Sequence, residues 1–196
     1  MATVSFSTAG ASGIELPLRQ FDADEYMAMT DAGVFEARER VELIGGYVVD
    51  MSPANPDHNY VIMRLLELFV PLMGSFKLWV QGTLKIDRKN VLDPDFMLLR
   101  PRADGFKRAL PTPDDVVLLV EVAGSSLARD AGVKLPLYAE QGISDYWIAD
   151  LDRDTLIVHR QPQGKVYDEV REYSGEETIS PLAAPEFSVK VREIFN

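Results

Sequence analysis

LLVEVAGSSLARDAGVKLPLYAEQGISDYWIADL, residues 118–151, sets the order strand, helix, strand near the middle of this 196-residue chain. Its first segment continues an apolar run from Val116 to Val120, the pattern of a strand covered on both faces. A helix is predicted from about Ser126 to Gln141, with Gly142 as its left-handed terminator and Ile143 making the accompanying apolar contact. Pro136 removes a backbone donor and crowds residue 132, so this helix is expected to kink or to begin late, near Lys134. DYWIADL then returns as a second buried strand, in which Tyr146 and Trp147 read as core aromatics and not as a base-stacking platform.

Upstream, KLWVQGTLKID and DFMLL read as strand-like runs. Before them Asn55-Pro56 supplies an N-cap and a first-turn proline for an amphipathic helix over 56–73, marked by Val61, Ile62, Leu65, Leu66, Leu68, Phe69, Leu72 and Met73. FDADEYMAMTDAG predicts a short helix capped by Asp22 and stopped by Gly33. RVELIGGYVVDM predicts two extended pieces folded about Gly45-Gly46. Downstream, TLIVHR, KVYDEVREY and TIS predict an antiparallel meander extending the sheet, with His159 facing outward, and VKVREIF closes the chain as a strand or a helical turn. The fold class is therefore α/β in the α+β sense: a mixed central sheet flanked by helices. Residues 1–19 are expected to form a loose tail and 20–196 a single domain.

Composition removes several function classes. No cysteine is present, which excludes a disulfide framework and a thiolate zinc site, and two histidines make a poor zinc cage. The first eighteen residues lack the charged start and apolar stretch of a secretory signal, and no later run approaches the roughly 20 apolar residues of a membrane span. A cytoplasmic protein without a membrane partner is expected. Twenty basic residues against 31 acidic ones give a net charge of −11, which argues against sequence-blind binding to nucleic acid. The stretch from Lys85 to Arg108 is locally basic, and it reads first as a solvated face.

Glu121 is the residue that points to chemistry. It follows the apolar run at the end of a strand that should be buried, where a carboxylate is costly unless paired or bound to a cation. Asp95, after Pro94 in LDPDF, opens the preceding strand, and if the two strands are neighbours both carboxylates reach one edge. Two carboxylates suit Mg²⁺, which leaves its other positions to water and a substrate phosphate. Lys134, in the following helix, is the candidate cation that positions the attacking water or the phosphate, although Asp130 four residues earlier could hold it in an ordinary ion pair. Glu42 is a further candidate for the acidic cluster, against the plainer reading of a surface strand carboxylate. His58, in a first helical turn, is a second such candidate that could contact a substrate, against the favoured reading that it caps and packs.

With VELIGG (41–46), MSPANPDH (51–58), LDPDF (92–96), the block 118–151 and the terminal VREIF in place, the chain resembles the PD-(D/E)XK nuclease superfamily, and within it the Uma-type restriction-endonuclease family. The resemblance runs from about residue 20 onward and is most specific in the central block. It implies Asp95 and Glu121 as the metal-holding acidic residues, Mg²⁺ (with Mn²⁺ as substitute) as cofactor, DNA as substrate and a homodimer as the cutting unit. The superfamily's lysine, two residues beyond the second acid, is Ala123 here, and Lys134 is the position that matches the family's displaced lysine. The family's acidic turn is replaced by Gly45 and Tyr47. Two other readings are carried beside the endodeoxyribonuclease: a catalytically silent nuclease-fold binding domain, motivated by the acidic balance and Ala123, and a hydrolase of another phosphate ester.

Overall fold

A computed structural model describes residues 18–36, 39–51, 55–124 and 130–196. The expected tail falls almost wholly outside these residues, as do residues 52–54 of MSPANPDH and most of the GSSLARD loop.

Helix α1 (Ala23–Asp31) forms where the sequence predicts it: Asp22 accepts from Glu25 N and Glu25 accepts in return from the Asp22 backbone N–H, a reciprocal cap on the first turn. Strands β1 (Val41–Ile44) and β2 (Tyr47–Asp50) pair antiparallel across Gly45 and Gly46, whose φ values of 60° and 84° are those of a two-residue hairpin turn. Helix α2 (Pro56–Phe69) starts on the Asn55 cap and stops earlier than its apolar pattern, because Pro71 diverts the chain into a tighter turn over Val70–Leu72. The run read as one strand, KLWVQGTLKID, is split at Gln81, where φ reaches +46°. Its halves, β3 (Lys77–Val80) and β4 (Leu84–Lys85), join different sheets.

Strands β5 (Val91–Leu92), β6 (Phe96–Leu99) and β7 (Val116–Ala123) follow. A π-helical turn over Asp130–Lys134 then leads into α3 (Leu135–Glu140). Pro136 accounts for the late start: it has no N–H for the carbonyl of residue 132. Gly142 at φ 74° ends α3, and Ile143 N donates to Tyr138 O at 3.1 Å, the expected left-handed termination.

Strand β8 (Asp145–Asp150) runs parallel to β7, and β9 (Thr155–Gln163) and β10 (Val166–Ser174) continue antiparallel from it. The central sheet has the order β10-β9-β8-β7-β6-β3, with one parallel pair, so it is mixed. A smaller sheet, β2-β1-β5-β4, stands beside it. The C-terminal meander extends the central sheet only through β10. Strands β11 (Thr178–Ile179) and β12 (Val189–Lys190) pair with each other instead, and the last segment turns into α4 (Arg192–Phe195). The VKVREIF stretch is therefore a strand and then a helical turn.

Alternation along the central strands divides the core. Phe96, Leu98, Val120, Val122 and Trp147 face α2, where Val61, Ile62, Leu65 and Phe69 close one layer. Met97, Leu99, Leu119, Ala123 and Tyr146 face the other way, onto Tyr138 and Ala139 of α3. Each of the larger apolar side chains so buried is worth about 1.5–3 kcal/mol. Tyr146 and Trp147 are fully buried. Asp145, at the start of β8, anchors the meander: it accepts from Trp147 Nε1, Arg160 Nε and Leu182 N at 2.7–2.8 Å.

His159 is not outward-facing as the sequence suggested. It stands opposite Tyr146 in the β8–β9 register and stacks on that ring at 5.4 Å, under the layer that α3 covers. Burial pushes its imidazole down to about 4, from an ordinary 6.5. Between those values the unfolded chain binds a proton at this site and the folded chain does not, so this contribution to stability is complete above about pH 6.5 and is lost as pH falls towards 4. His159→Phe should accordingly lose less of its urea midpoint than the wild type between pH 7 and pH 5, and equal losses would contradict a buried neutral imidazole.

Candidate active site

The β6–β7 register places the two acidic candidates together. Phe96 pairs with Val120, so Asp95, one step before β6, falls opposite Glu121. Asp95 is held at the strand end by Val122 N, which donates to Oδ2 at 2.9 Å. His58 Nε2 approaches the same oxygen at 3.1 Å. The first turn of α2 thus reaches over the sheet edge to Asp95, and His58 does more than pack. Its Nδ1 is buried without a hydrogen-bond partner.

Glu121 is 2% exposed and its Oε1 takes two donors from the helical side: Lys134 Nζ at 3.0 Å and Tyr138 Oη at 2.7 Å. Those residues are four apart, so they share one side of the turn leading into α3. Lys134, 1% exposed, also lies 3.1 Å from Oε1 of Glu42. Glu42 is not a surface carboxylate: it is 0% exposed, accepts from Asp93 N at 2.9 Å, and keeps Oε2 buried without a hydrogen-bond partner. The β1–β2 hairpin therefore delivers a carboxylate into the edge formed by β6 and β7. The Asp130–Lys134 pairing considered from sequence involves a side chain outside the described residues.

Two further groups border the cluster. Burial raises the carboxyl of Asp93 above its ordinary range, while the Thr83 hydroxyl and the charges of Lys134 and Arg40 oppose that shift. Tyr26, whose hydroxyl donates to Val41 O at 2.8 Å, is pushed up to about 12 by burial and by the nearby charges of Asp93 and Glu42. The basic stretch from residue 85 to 108 behaves as a solvated face: Lys85 pairs with Asp24, Arg88 with Asp22 and Arg102 with Asp104.

Three carboxylates (Glu42, Asp95, Glu121) against the ammonium of Lys134 leave the cluster with a formal charge of −2. Among the described residues no group of three or more His, Cys, Asp or Glu side chains is arranged to hold a metal ion. One or two carboxylates are what Mg²⁺ commonly takes from a protein, and Asp95 and Glu121 are the residues that could hold one. Hard oxygen donors, a cation-attracting charge and the unpartnered Glu42 Oε2 fit such an ion.

Asp95, Glu121, Glu42 and Lys134 were all reachable from sequence. Tyr138 carries only one sequence signal, its spacing of four from Lys134, and nothing in the local sequence around His58 reports a contact with residue 95.

Comparison with known proteins agrees with this architecture. The sequence model of the Uma2 family, described as putative restriction endonuclease, matches residues 23–192. Among solved structures, a putative nuclease belonging to DUF820 from Anabaena variabilis ATCC 29413 superposes with a TM-score of 0.69 at 14% identity, covering 89% of this chain and 97% of that one. At that identity the likeness is one of fold. No curated protein matches. No helix among the described residues is long and apolar enough to cross a membrane.

Proposed function

The chain belongs to the Uma2 family of putative restriction endonucleases, and from that premise we propose that it is a Mg²⁺-dependent endodeoxyribonuclease that hydrolyses phosphodiester bonds of DNA. The observation that carries this reading is the placement of Asp95 opposite Glu121 on one sheet edge, beside a buried lysine. In it Asp95 and Glu121 hold the cation, with Mn²⁺ able to substitute. When bound, such an ion neutralises charge developing on the phosphate and makes a bound water a stronger nucleophile. Val122 N fixes Asp95, and Lys134 and Tyr138 fix Glu121, so both carboxylates are held before any substrate arrives. Glu42 balances Lys134 from the opposite side. Being engaged by two carboxylates, Lys134 acts in this proposal on the attacking water through the geometry of Glu121.

Nicking of supercoiled plasmid in Mg²⁺, against the same reaction in chelator and against Asp95→Asn, tests the proposal. Wild type should nick only with the metal, and Asp95→Asn should be strongly impaired. Equal nicking by both proteins would remove the mechanism. Activity on small phosphodiesters but not on plasmid would point to another phosphate ester. Absence of both activities, with no Mg²⁺ or Mn²⁺ binding by calorimetry, would favour a silent binding domain, a reading supported by the −11 net charge and by Ala123 at the usual lysine position. The homodimer implied by the resemblance belongs to the same proposal; sedimentation velocity should return about twice the 21.9 kDa chain mass.

A further inference from the structure

Lys134 and Tyr138, which both reach Glu121 Oε1, are donors of different kinds, and the difference has a physical use. Lys134 brings a positive charge that offsets one carboxylate. Tyr138 brings a directed hydrogen bond of 2.7 Å and no charge. A second ammonium or guanidinium in its place would lower the cluster's formal charge from −2 to −1 and weaken its attraction for a divalent ion. A neutral donor fixes the carboxylate and leaves that attraction intact.

The ring that carries this hydroxyl is itself immobilised. Tyr138 is fully buried and packs edge-on against Tyr146 at 5.0 Å, and Tyr146 stacks in turn on His159. Tyr146 lies on β8, paired in register with Leu119 of β7, two residues before Glu121. The backbone of Tyr138 is held by the termination of α3, where Ile143 N reaches its carbonyl and Tyr167 Oη donates to Ile143 O at 2.9 Å. The hydroxyl is therefore referenced to the same strands that carry the carboxylate.

We propose that Tyr138 is the positioning residue for Glu121: its buried hydroxyl holds Oε1 and so sets the orientation in which this carboxylate meets a divalent cation, without adding charge to the site. The inference rests on the reading of Asp95 and Glu121 as a metal-binding pair. Nothing in it requires Tyr138 to touch the metal or the substrate; it acts through Glu121, as hydrogen-bonding partners of metal ligands do elsewhere.

Titration calorimetry with Mn²⁺ alone, on the full chain, separates this role from simple core packing. Tyr138→Phe keeps the ring and removes the oxygen, and its affinity for Mn²⁺ should fall by about 10- to 100-fold, the range found when such partners are removed. Tyr167→Phe is the control: it deletes a buried hydroxyl that supports the end of the same helix but does not contact Glu121. It should lower the melting temperature and leave Mn²⁺ affinity within about threefold of wild type. Tyr138→Phe binding as tightly as wild type would overturn the inference while leaving the metal site standing. Equal weakening by the two variants would overturn it in favour of a purely structural role. Wild type failing to bind Mn²⁺ would remove the metal-site reading and this inference with it.

Discussion

Glu121→Gln should lose metal-dependent plasmid nicking by about 10³-fold or more, which corresponds to about 4 kcal/mol of barrier. Glutamine is the informative substitution because it preserves shape and an acceptor for the Tyr138 hydroxyl, 2.7 Å from Oε1 in the wild type. What it removes is charge. The cluster falls from a formal −2 to −1, and the proposed cation site loses one of its two anionic donors. Lys134 keeps Glu42 at 3.1 Å, so no buried ammonium is stranded and the fold should survive with a melting temperature near that of the wild type. Alanine would be less clean, since it would leave the Tyr138 hydroxyl and one arm of Lys134 without their acceptor. Gel quantification of nicked product over time, with Mn²⁺ calorimetry on the same sample, reads both effects. Undiminished nicking by Glu121→Gln would exclude Glu121 from the chemistry.

The parts of this site legible in the sequence are those whose partners lie on adjacent strands. Glu121 stands out because a carboxylate ends an apolar run, and Asp95 joins it on the condition that the strand it opens is a neighbour, a condition the β6–β7 pairing meets. Gly142 and Pro136 likewise act through local geometry, and α3 begins and ends where they dictate. Glu42 and His58 lie about 50 and 40 residues before the partners they meet, in a hairpin and a helix whose docking is set by the whole core. Local pattern gives each of them a plain explanation as well, and only tertiary packing decides against it. His159 failed for a related reason: alternation along β9 fixes which residues share a face, but whether that face is covered depends on α3. The division of KLWVQGTLKID between two sheets turns on a left-handed conformation at Gln81, a residue type that does not advertise one.

Lys134→Met should cost about 3–5 kcal/mol of stability in the absence of metal, the range for removing one partner from a buried ion pair. The methionine fills much of the same volume, so loss of packing is a minor part. The cost comes from Glu121 and Glu42, 2% and 0% exposed, which both lose the ammonium at 3.0 and 3.1 Å. Urea unfolding monitored through the tryptophans reads the effect directly. If electrostatics is the cause, adding Glu121→Gln to Lys134→Met removes one stranded charge, and the double variant should be more stable than Lys134→Met alone, a non-additivity expected only of groups in contact. A purely steric role for Lys134 predicts the opposite, with the two losses summing. Mn²⁺ supplies the complementary reading: an ion that binds the folded state and replaces the missing positive charge should raise the urea midpoint of Lys134→Met more than that of the wild type. An equal rise in both proteins would mean that Lys134 and the cation do not share the field of Glu121, and the proposed site would have to be redrawn around Asp95 alone.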